Sequence, residues 1–531
     1  MPKAPKSRSA GRANRGPAGA RGLSDTHRRL LLLLLIVGLA AFFRFFQLAA
    51  LPPGLFPDEA MNGNDGLQAL ETGHFSVFYP QNGGREGLFL NIQAAFVYLL
   101  GNKAWVLRLP SAIFGVLTVL ALYFLARKLF SPAVGLLASF FLATSFWHIM
   151  FSRIGLRGAC SGFFLVCALY LLLEGLDRAR HSGASPGRMI LAGAVYGLGF
   201  HTYIAYRVTP ALILPILVYY FVDARKTGWL AAWRTAVAVY AGTAALVVAP
   251  LVLYFVRNPE AFAHRSAEVS VLHAPRPFLE ILVNIRKMAQ MIFVRGDYDW
   301  GHNIALRPEV FWPVAIAFAL GVALGCLALF RRERSWFAYA VALLWLVLSA
   351  VPPVLSIENM PNSLRAILMI PALCILAAAG AQWICSHLAA RLRSRWLQAA
   401  GAAVLLALCY EPYHSYFAVW AANPEVAQVF NAAGADIAAR IDAMPLTAPK
   451  NVVSVAPGLP PGPGMLPALQ TVMFLTGSYT QRQQRETNVH YITRLSPSDP
   501  DGVAFCEHVA RNIAQGDIFC LQVRHAPQPV F

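Results

Sequence analysis

The sequence predicts an α-helical polytopic membrane protein with a small α/β domain at its C-terminal end. Of its 531 residues, 57% are hydrophobic and only 13% are charged, whereas soluble domains carry about 25% charged residues. The apolar residues form long uninterrupted segments, and about 20 such residues are needed to span a bilayer. After residue 410 these segments stop, and shorter pieces with helical or strand periodicity follow.

About eleven segments are predicted to cross the membrane as helices. They are residues 30–51, 109–126, 132–151, 159–173, 189–206, 208–222, 230–256, 310–330, 336–354, 364–385 and 396–410. The first segment is too long for the apolar part of a signal peptide, and no convincing small-residue cleavage site follows it. We therefore expect it to be retained as the first span.

A further apolar segment, residues 87–101, is predicted to lie on the outer membrane surface. It is short for a span and contains Asn91 and Gln93. If it does not cross, the basic loops at 127–128, 178–188, 225–226, 331–334 and 391–395 all lie on the inner side. Inner loops are enriched in Lys and Arg. This charge pattern predicts an interfacial or re-entrant helix beside Asp58, an inner N-terminus and an outer C-terminus.

The chain is expected to have three parts. Residues 1–29 hold much of the +18 net charge and resemble a cytoplasmic tail near anionic lipids. Nucleic acid is not expected as a partner of so apolar a chain. Residues 30–410 form the transmembrane domain, and 411–531 form an extracytoplasmic α/β domain. Its predicted helices are 424–441, 465–475 and 503–514, its strands are 451–456, 489–493 and 517–523, and 457–467 is a loop.

Two of the eight cysteines, Cys506 and Cys520, are candidates for a disulfide. They lie on the last predicted helix and on the following strand, which would pack against each other. An oxidising outer compartment permits such a bond. Two buried thiols are the alternative interpretation.

Polar and ionisable side chains concentrate in the predicted outer segments, and the spans are nearly free of them. A proton-coupled transporter usually has acids near the middle of the membrane, so this pattern favours a cleft at the outer surface. A transferase at that place would need an activated donor that arrives on a lipid, such as a polyprenyl-phosphate sugar. Arginine binds phosphate by bidentate, charge-assisted hydrogen bonds, and a carboxylate can activate an acceptor hydroxyl as a general base.

Several stretches resemble one enzyme family. They are LPPGLFPDEAMNGNDGLQALETG, GREGLFLNIQAAFVYLLGNKAWVLRLPSAIFGVLTVLALYFLARKLF, FSRIGLRGACSGFF, GLGFHTYIAYRVTPALILPIL and NSLRAILMIPALCILAAAG. Together they resemble the GT-C glycosyltransferases, in particular the protein O-mannosyltransferase-like and aminoarabinose-transferase-like membrane enzymes. The resemblance covers roughly residues 30–410. It implies a multi-span fold with membrane-lying helices in the first outer loop.

The resemblance also implies roles for individual residues. Asp58 is expected to be the catalytic base, with Glu59 orienting the substrate or the base, and Arg85 is expected to bind the donor phosphate. Further candidates for phosphate binding are Arg153, Arg157, Arg207 and Arg365, and candidates for substrate binding are Asn62, His201, Tyr203 and Tyr206. Some relatives have a second acid near positions 157–158, and this chain has none there. No cofactor is required by these residues, and a divalent metal remains an open alternative.

Each candidate also has an ordinary structural interpretation. Asp58 could cap a helix, the arginines could reach to the interface from apolar surroundings, and the tyrosines could belong to an interfacial aromatic belt. Asp297, Asp299 and His302 could bind a metal or simply be solvated. The alternative functions are a transporter or lipid-sugar flippase and a non-catalytic scaffold. The acceptor of the sugar is left open between a lipid, a protein and a polysaccharide.

Overall fold

The computed structural model describes residues 25–183, 185–357, 359–389, 395–455, 467–493, 503–513 and 515–522. The predicted cytoplasmic tail therefore lies outside the described residues, apart from its last five. The predicted loop 457–467 also lies outside them, apart from its last residue.

Sixteen α-helices precede the C-terminal segment in the described part of the chain. They are α1 Asp25–Phe45, α2 Pro57–Thr72, α3 Gly87–Leu100, α4 Ala104–Leu129, α5 Pro132–Ala143, α6 Phe146–Ser152, α7 Gly158–Ser182, α8 Pro186–Gly199, α9 Pro210–Thr227, α10 Leu230–Arg257, α11 Pro259–Glu268, α12 Pro277–Phe293, α13 Trp312–Arg331, α14 Trp336–Val354, α15 Met369–Ala389 and α16 Arg395–Tyr413. A helix occupies each of the eleven predicted spans.

Seven of the described helices are long and apolar enough to cross a membrane. The pair α5 and α6, which is bent by 61° at its junction, is either a broken eighth span or a re-entrant loop. Helix α8 has 14 residues, which give it a length of about 21 Å, less than the hydrocarbon thickness of about 30 Å. The polytopic helical fold is thus confirmed, while the count of eleven spans stays a prediction.

Helix α3 is the apolar segment that was expected to lie on the outer surface. It has 14 residues and is capped by Gly101, three residues before α4 begins. It packs closely across α2, where a methyl group at Gly66 would lie 3.2 Å from the Cβ atom of Ala94. Its length is too short for a straight span, and this agrees with an interfacial position.

The sidedness of α3 can be measured directly. If α3 stays on the outer side, reporter fusions after Ser131 and after Ser182 should both report the cytoplasm, because every basic loop then lies inside. A fusion after Gly228, which follows α9, lies downstream of the same segment and should report the same side as the two test fusions. An outer signal from both test fusions would mean that α3 crosses the membrane.

The centre of the helix bundle is packed through small residues. Gly321 on α13 faces the backbone of Leu376 on α15, and Gly380 on α15 faces the backbone of Ala317 on α13. A side chain at either glycine would collide with the other helix. Small residues of this kind let membrane helices approach closely without a polar interface.

The C-terminal segment contains a three-stranded parallel sheet. The strands of the chain are β1 Phe78–Tyr79, β2 Arg85–Glu86, β3 Lys450–Val455, β4 Val489–Thr493 and β5 Asp517–Gln522. The first two form a short antiparallel hairpin between α2 and α3, in the predicted first outer loop. The other three pair in the order β4-β3-β5, and they lie within one residue of their predicted positions.

Five helices accompany this sheet. They are α17 Pro424–Val429, α18 Ala432–Asp442, α19 Pro467–Leu475, α20 Gln481–Thr487 and α21 Val503–Asn512. The single helix predicted over 424–441 is wrong, because Asn431 adopts a left-handed conformation with φ 48° and caps α18 through Gly434 N. The predicted disulfide between Cys506 and Cys520 is present, with the Cα atoms 6.2 Å apart.

Candidate active site

Helix α2 carries the predicted acid pair at its first turn. The helix begins with Pro57, whose fixed φ suits the first helical position, and it ends at Gly73, which is left-handed with φ 72°. The Glu59 carboxylate accepts a hydrogen bond from the backbone N–H of Phe56 at 3.1 Å. Asp58 and Glu59 are successive residues, so their side chains point about 100° apart around the helix axis.

Glu59 points into the protein, where it is fully buried. Its Oε1 accepts hydrogen bonds from Gly155 N at 2.6 Å and from Arg108 Nε at 3.1 Å. Arg108 also donates to the carbonyl oxygens of Pro52 and Gly54, each at 2.7 Å. These contacts favour a structural role for Glu59 over the predicted catalytic one, because its carboxylate anchors α2 to the neighbouring loops.

Replacing Glu59 should mainly affect folding. Glu59→Gln leaves the Arg108 guanidinium buried without its counter-charge, and breaking one side of a buried ion pair costs about 3–5 kcal/mol. Thermal unfolding of the purified protein in detergent should therefore show a clear fall in the midpoint. The matched control is Glu71→Gln, since Glu71 is exposed on the same helix. A midpoint equal to that of the control would show that this ion pair does not hold α2.

Asp58 points towards the β1–β2 hairpin and is half-buried. Its Oδ1 accepts a hydrogen bond from Asn82 Nδ2 at 3.0 Å. Asn82 lies at the tip of the hairpin with φ 51°, a left-handed conformation that asparagine tolerates better than most residues. Part of the Asp58 side chain remains open to solvent, so an incoming hydroxyl can reach it.

Arg85 on β2 binds the same face of α2. Its guanidinium forms an ion pair with Asp65 and donates to Asn62 Oδ1 at 2.7 Å. Asp58, Asn62 and Asp65 are spaced i, i+4 and i+7, so they share one face of the helix. Burial lowers the pKa of Arg85, and the charges of Asp65 and Asp58 oppose this effect. Asp65 was not among the predicted site residues, although its spacing from Asp58 was a usable signal.

Glu86, the next residue on β2, holds two arginines together. Its carboxylate lies 3.2 Å from Arg157 Nε and 3.5 Å from Arg207 Nη2. Arg157 also stacks over the ring of Tyr203, with its guanidinium carbon 5.6 Å from the ring centroid. The side chains of Arg157 and Arg207 keep 19% and 23% exposure, while that of Glu86 keeps 2%. Glu86 was also missing from the predicted site.

Arg153 lies apart from this arginine pair. It is fully buried and donates to the carbonyl oxygens of Phe43 at 2.9 Å and Leu51 at 3.1 Å. Its guanidinium also stacks over the rings of Tyr416 and Phe417, at 4.8 and 5.1 Å. These contacts favour a structural role for Arg153 over the predicted role in phosphate binding.

Three other predicted site residues also have structural contacts. Tyr206 is fully buried against Gly199 and the neighbouring aromatic side chains, which favours a structural role over the predicted contact with substrate. His201 Nε2 lies 2.9 Å from the carbonyl oxygen of Val247 on α10, which favours a structural role over substrate binding. Arg365 donates to the hydroxyl of Ser356 at the end of α14. None of these three contacts involves the acid face of α2.

The loop between α12 and α13 contains the other predicted candidates. Asp297 Oδ2 accepts hydrogen bonds from Ser363 N at 2.8 Å and from its hydroxyl at 2.9 Å, and lies 3.2 Å from His302 Nδ1. Burial alone would lower the pKa of His302, but Asp299 and Asp297 raise it to about 9. In the described ranges, no three His, Cys, Asp or Glu side chains are grouped as metal ligands. The cluster therefore fits a hydrogen-bonded structural role better than a metal centre.

Comparisons with known proteins agree with the resemblance seen in the sequence. Residues 88–255 match the model of the dolichyl-phosphate-mannose-protein mannosyltransferase family. A segment of 129 residues is 30% identical to YkcB of Bacillus subtilis (strain 168), which is described as a candidate mannosyltransferase. That alignment covers 24% of this chain and only 17% of the relative.

Solved structures with the same fold cover most of the chain. ArnT from Cupriavidus metallidurans, in its apo state, superposes with a TM-score of 0.53 at 17% identity, over 86% of this chain and 85% of ArnT. The same enzyme bound to undecaprenyl phosphate gives 0.52 at 17% identity, over 88% and 89%. The archaeal oligosaccharyltransferase of Archaeoglobus fulgidus, in complex with an inhibitory peptide and a dolichol-phosphate, gives 0.51 at 14% identity, over 88% and 69%. The chain is therefore a polytopic membrane protein with the GT-C glycosyltransferase fold.

Proposed function

We propose that the protein transfers a sugar from a polyprenyl-phosphate donor to an acceptor hydroxyl, at the outer face of the cytoplasmic membrane. The observation that carries this proposal is the arrangement around β2. Arg85 faces the acid helix with Asp58, while the adjacent Glu86 gathers Arg157 and Arg207. A carboxylate and a group of arginines thus lie on the two sides of one short strand. The undecaprenyl phosphate and dolichol-phosphate bound by proteins of this fold support a lipid-linked donor.

In the proposed reaction Asp58 acts as the general base. It takes the proton of the acceptor hydroxyl while that oxygen forms a bond to the anomeric carbon of the sugar. The bond between this carbon and the phosphate oxygen breaks, and the polyprenyl phosphate leaves with the electron pair. Attack opposite to the leaving group inverts the anomeric centre. A positioned base contributes about 10²–10⁴-fold to such a step.

The leaving phosphate is proposed to sit on Arg157 and Arg207. These two arginines are partly exposed, and the partner that they share is the carboxylate of Glu86. Arg157 also donates to the carbonyl oxygen of Gly84, and Arg207 donates to that of Phe262. The tetrahedral phosphate of the donor presents a pair of oxygen acceptors to each guanidinium, as a carboxylate does, and it gains negative charge as it leaves. Cations that face developing negative charge stabilise the transition state. Arg85 is buried on β2 and supports the site through its bonds to Asn62 and Asp65 on α2.

The membrane-embedded polar residues support this proposal over a transporter or flippase. Arg44 donates to the carbonyl oxygens of Ala143 and Leu142, each at 3.2 Å, and lies 2.6 Å from His148 Nδ1. Arg44 and His148 therefore bind groups of the protein itself, whereas a transporter would use such side chains to bind its substrate or a proton. We further propose that the C-terminal domain lies outside, where the Cys506–Cys520 disulfide is stable.

The decisive experiment is mass spectrometry of the cell-envelope glycans and the polyprenyl-phosphate sugars in a strain that lacks the gene. The proposal expects one envelope component, whether lipid, protein or polysaccharide, to lose a sugar while the matching lipid-linked sugar accumulates. The wild-type gene should restore both, and Asp58→Asn should restore neither. Unchanged glycans together with an unchanged donor pool would overturn the proposal. Full restoration by Asp58→Asn would support transport of the lipid-linked sugar instead.

A further inference from the structure

The C-terminal domain is fastened to the helix that carries Asp58. Phe474 on α19 is fully buried in a cluster with Leu55, Ala60 and Leu107. It lies directly against Gly63 of α2, where a methyl group would lie 2.5 Å from Phe474 Cδ2. Glycine is thus required at this point because the phenylalanine ring occupies the space of a side chain.

Buried hydrogen bonds flank this aromatic contact. Asn64 Nδ2 donates to the side-chain oxygen of Gln470 at 2.8 Å and to its carbonyl oxygen at 3.0 Å. The hydroxyl of Thr471 donates to the carbonyl oxygen of Leu55 at 2.9 Å, just before α2 begins. Separating the two surfaces would leave buried polar groups without partners, at about 1–3 kcal/mol for each group. The C-terminal domain is therefore docked on α2 rather than tethered loosely above the membrane.

The domain also contacts both structures that flank α2. Asn102, in the loop between α3 and α4, donates to the carbonyl oxygens of Phe474 and Leu475 at 2.9 and 3.0 Å. The Tyr479 side chain lies beside Gln81 in the hairpin, four residues before Arg85. Residues more than 370 positions apart in the sequence thus surround the same helix.

The two sides of α2 therefore have different tasks. Asp58, Asn62 and Asp65 face the hairpin, whereas Asn64 is two residues beyond Asn62 and points about 200° away from it around the axis. We propose that the C-terminal domain is a positioning element of the active site: Phe474, seated on Gly63, fixes the depth and rotation of α2 and hence the place of the Asp58 carboxylate. This inference rests on the proposed function, because Asp58 must be the base for its position to set the rate.

A pair of variants tests the contact itself. Gly63→Ala places a methyl group against the Phe474 ring and should displace α2, and displacement by about 1 Å can cost 10²-fold in rate. We expect kcat to fall by about 10- to 100-fold, while the KM for the lipid-linked donor changes by less than about twofold. Phe474→Val alone removes the seat of α2 and should also lower kcat. In the double variant Gly63→Ala, Phe474→Val the new methyl group takes the place of the missing ring atoms, so most of the lost kcat should return. A merely damaged fold would not be repaired by a second core truncation.

Hydrogen exchange gives a readout that does not depend on catalysis. In Phe474→Val, the amides of α2 should exchange at least about tenfold faster than in the wild type, while those of α7 stay unchanged. The inference is overturned if Gly63→Ala keeps the wild-type kcat, or if α2 exchanges at the wild-type rate in Phe474→Val. If the wild-type protein transfers no sugar from any lipid-linked donor, the proposed function fails, and the exchange of α2 alone decides whether the C-terminal domain holds this helix.

Discussion

Asp58→Asn is expected to leave the protein folded in the membrane and to reduce its turnover by about two to four orders of magnitude. Asparagine has the same size and retains the oxygen that accepts the hydrogen bond from Asn82. The amide is not basic, however, so it cannot take a proton from the acceptor hydroxyl. The loss should appear in kcat at saturating donor, because the missing group acts in the transition state.

Two further variants separate this role from a structural one. Asp442→Asn removes an exposed carboxylate from the C-terminal domain and should keep wild-type turnover. Asp58→Ala removes the hydrogen bond to Asn82 as well as the base, so it should be no more active than Asp58→Asn. Wild-type activity of Asp58→Asn, together with a reduced yield of Asp58→Ala, would show that the acid only stabilises the start of α2.

The helical part of the fold was predictable because the lipid bilayer requires the same length and apolar composition of every span. A span must be long and apolar wherever it occurs, so the sequence alone locates the helices. Interruptions of a span depend on tertiary packing instead. The chain breaks between α5 and α6, and α8 ends at Gly199, although the apolar segments continue through both points. In a membrane protein such breaks are stabilised by neighbouring helices, which a single segment does not reveal.

The sequence predicted where the candidate site lies, but it did not predict which residue has which role there. Asp58 and Glu59 are adjacent acids, and only the packing of α2 shows which one faces Arg108. Arg153 and Arg157 are four residues apart, yet the turn at Gly155 sends the first into the bundle and the second towards the hairpin. A methyl group at Gly155 would lie 2.7 Å from the carbonyl oxygen of Leu107, so this crossing is very tight.

Asp65 and Glu86 were missed because their partners come from distant parts of the chain. Asp65 pairs with an arginine 20 positions away, and the partners of Glu86 are 71 and 121 positions away. Sequence inspection shows several acids and arginines in the outer loops without showing their pairing. The same limit applies to the C-terminal domain, whose strands were predicted correctly while its contact with α2 was not.

Arg85 is a poor choice for testing the phosphate site by deletion. Arg85→Ala would remove a cation, but it would also leave Asp65 buried without its partner. Burial already raises the pKa of the Asp65 carboxyl, so removal of the arginine would favour its neutral form. Loss of donor use by this variant would therefore mix electrostatics with a rearrangement of the acid face. Arg157 and Arg207 provide a cleaner test because they are partly exposed.

Removing Arg157 and Arg207 together should strongly impair use of the lipid-linked donor. Arg157→Ala, Arg207→Ala takes away both proposed phosphate contacts, and we expect kcat/KM for the donor to fall by about 10²–10³-fold. The matched control is Arg276→Ala, because Arg276 is an exposed arginine at the start of α12, on another predicted outer segment. Steady-state rates at limiting and at saturating donor separate lost binding from a slower departure of the phosphate.

Glu86→Gln makes the opposite change at the same place. In the proposed site, the Glu86 carboxylate and the donor phosphate compete for Arg157 and Arg207. The uncharged amide of Glu86→Gln should bind the arginines more weakly, so the KM for the donor should fall. Glu86→Gln should not slow catalysis, since the two arginines remain present to stabilise the leaving phosphate. Combining it with Arg157→Ala, Arg207→Ala should abolish this gain, because no cation is left to release. Wild-type donor use by the double arginine variant, or a raised donor KM in Glu86→Gln, would place the phosphate elsewhere in the cleft.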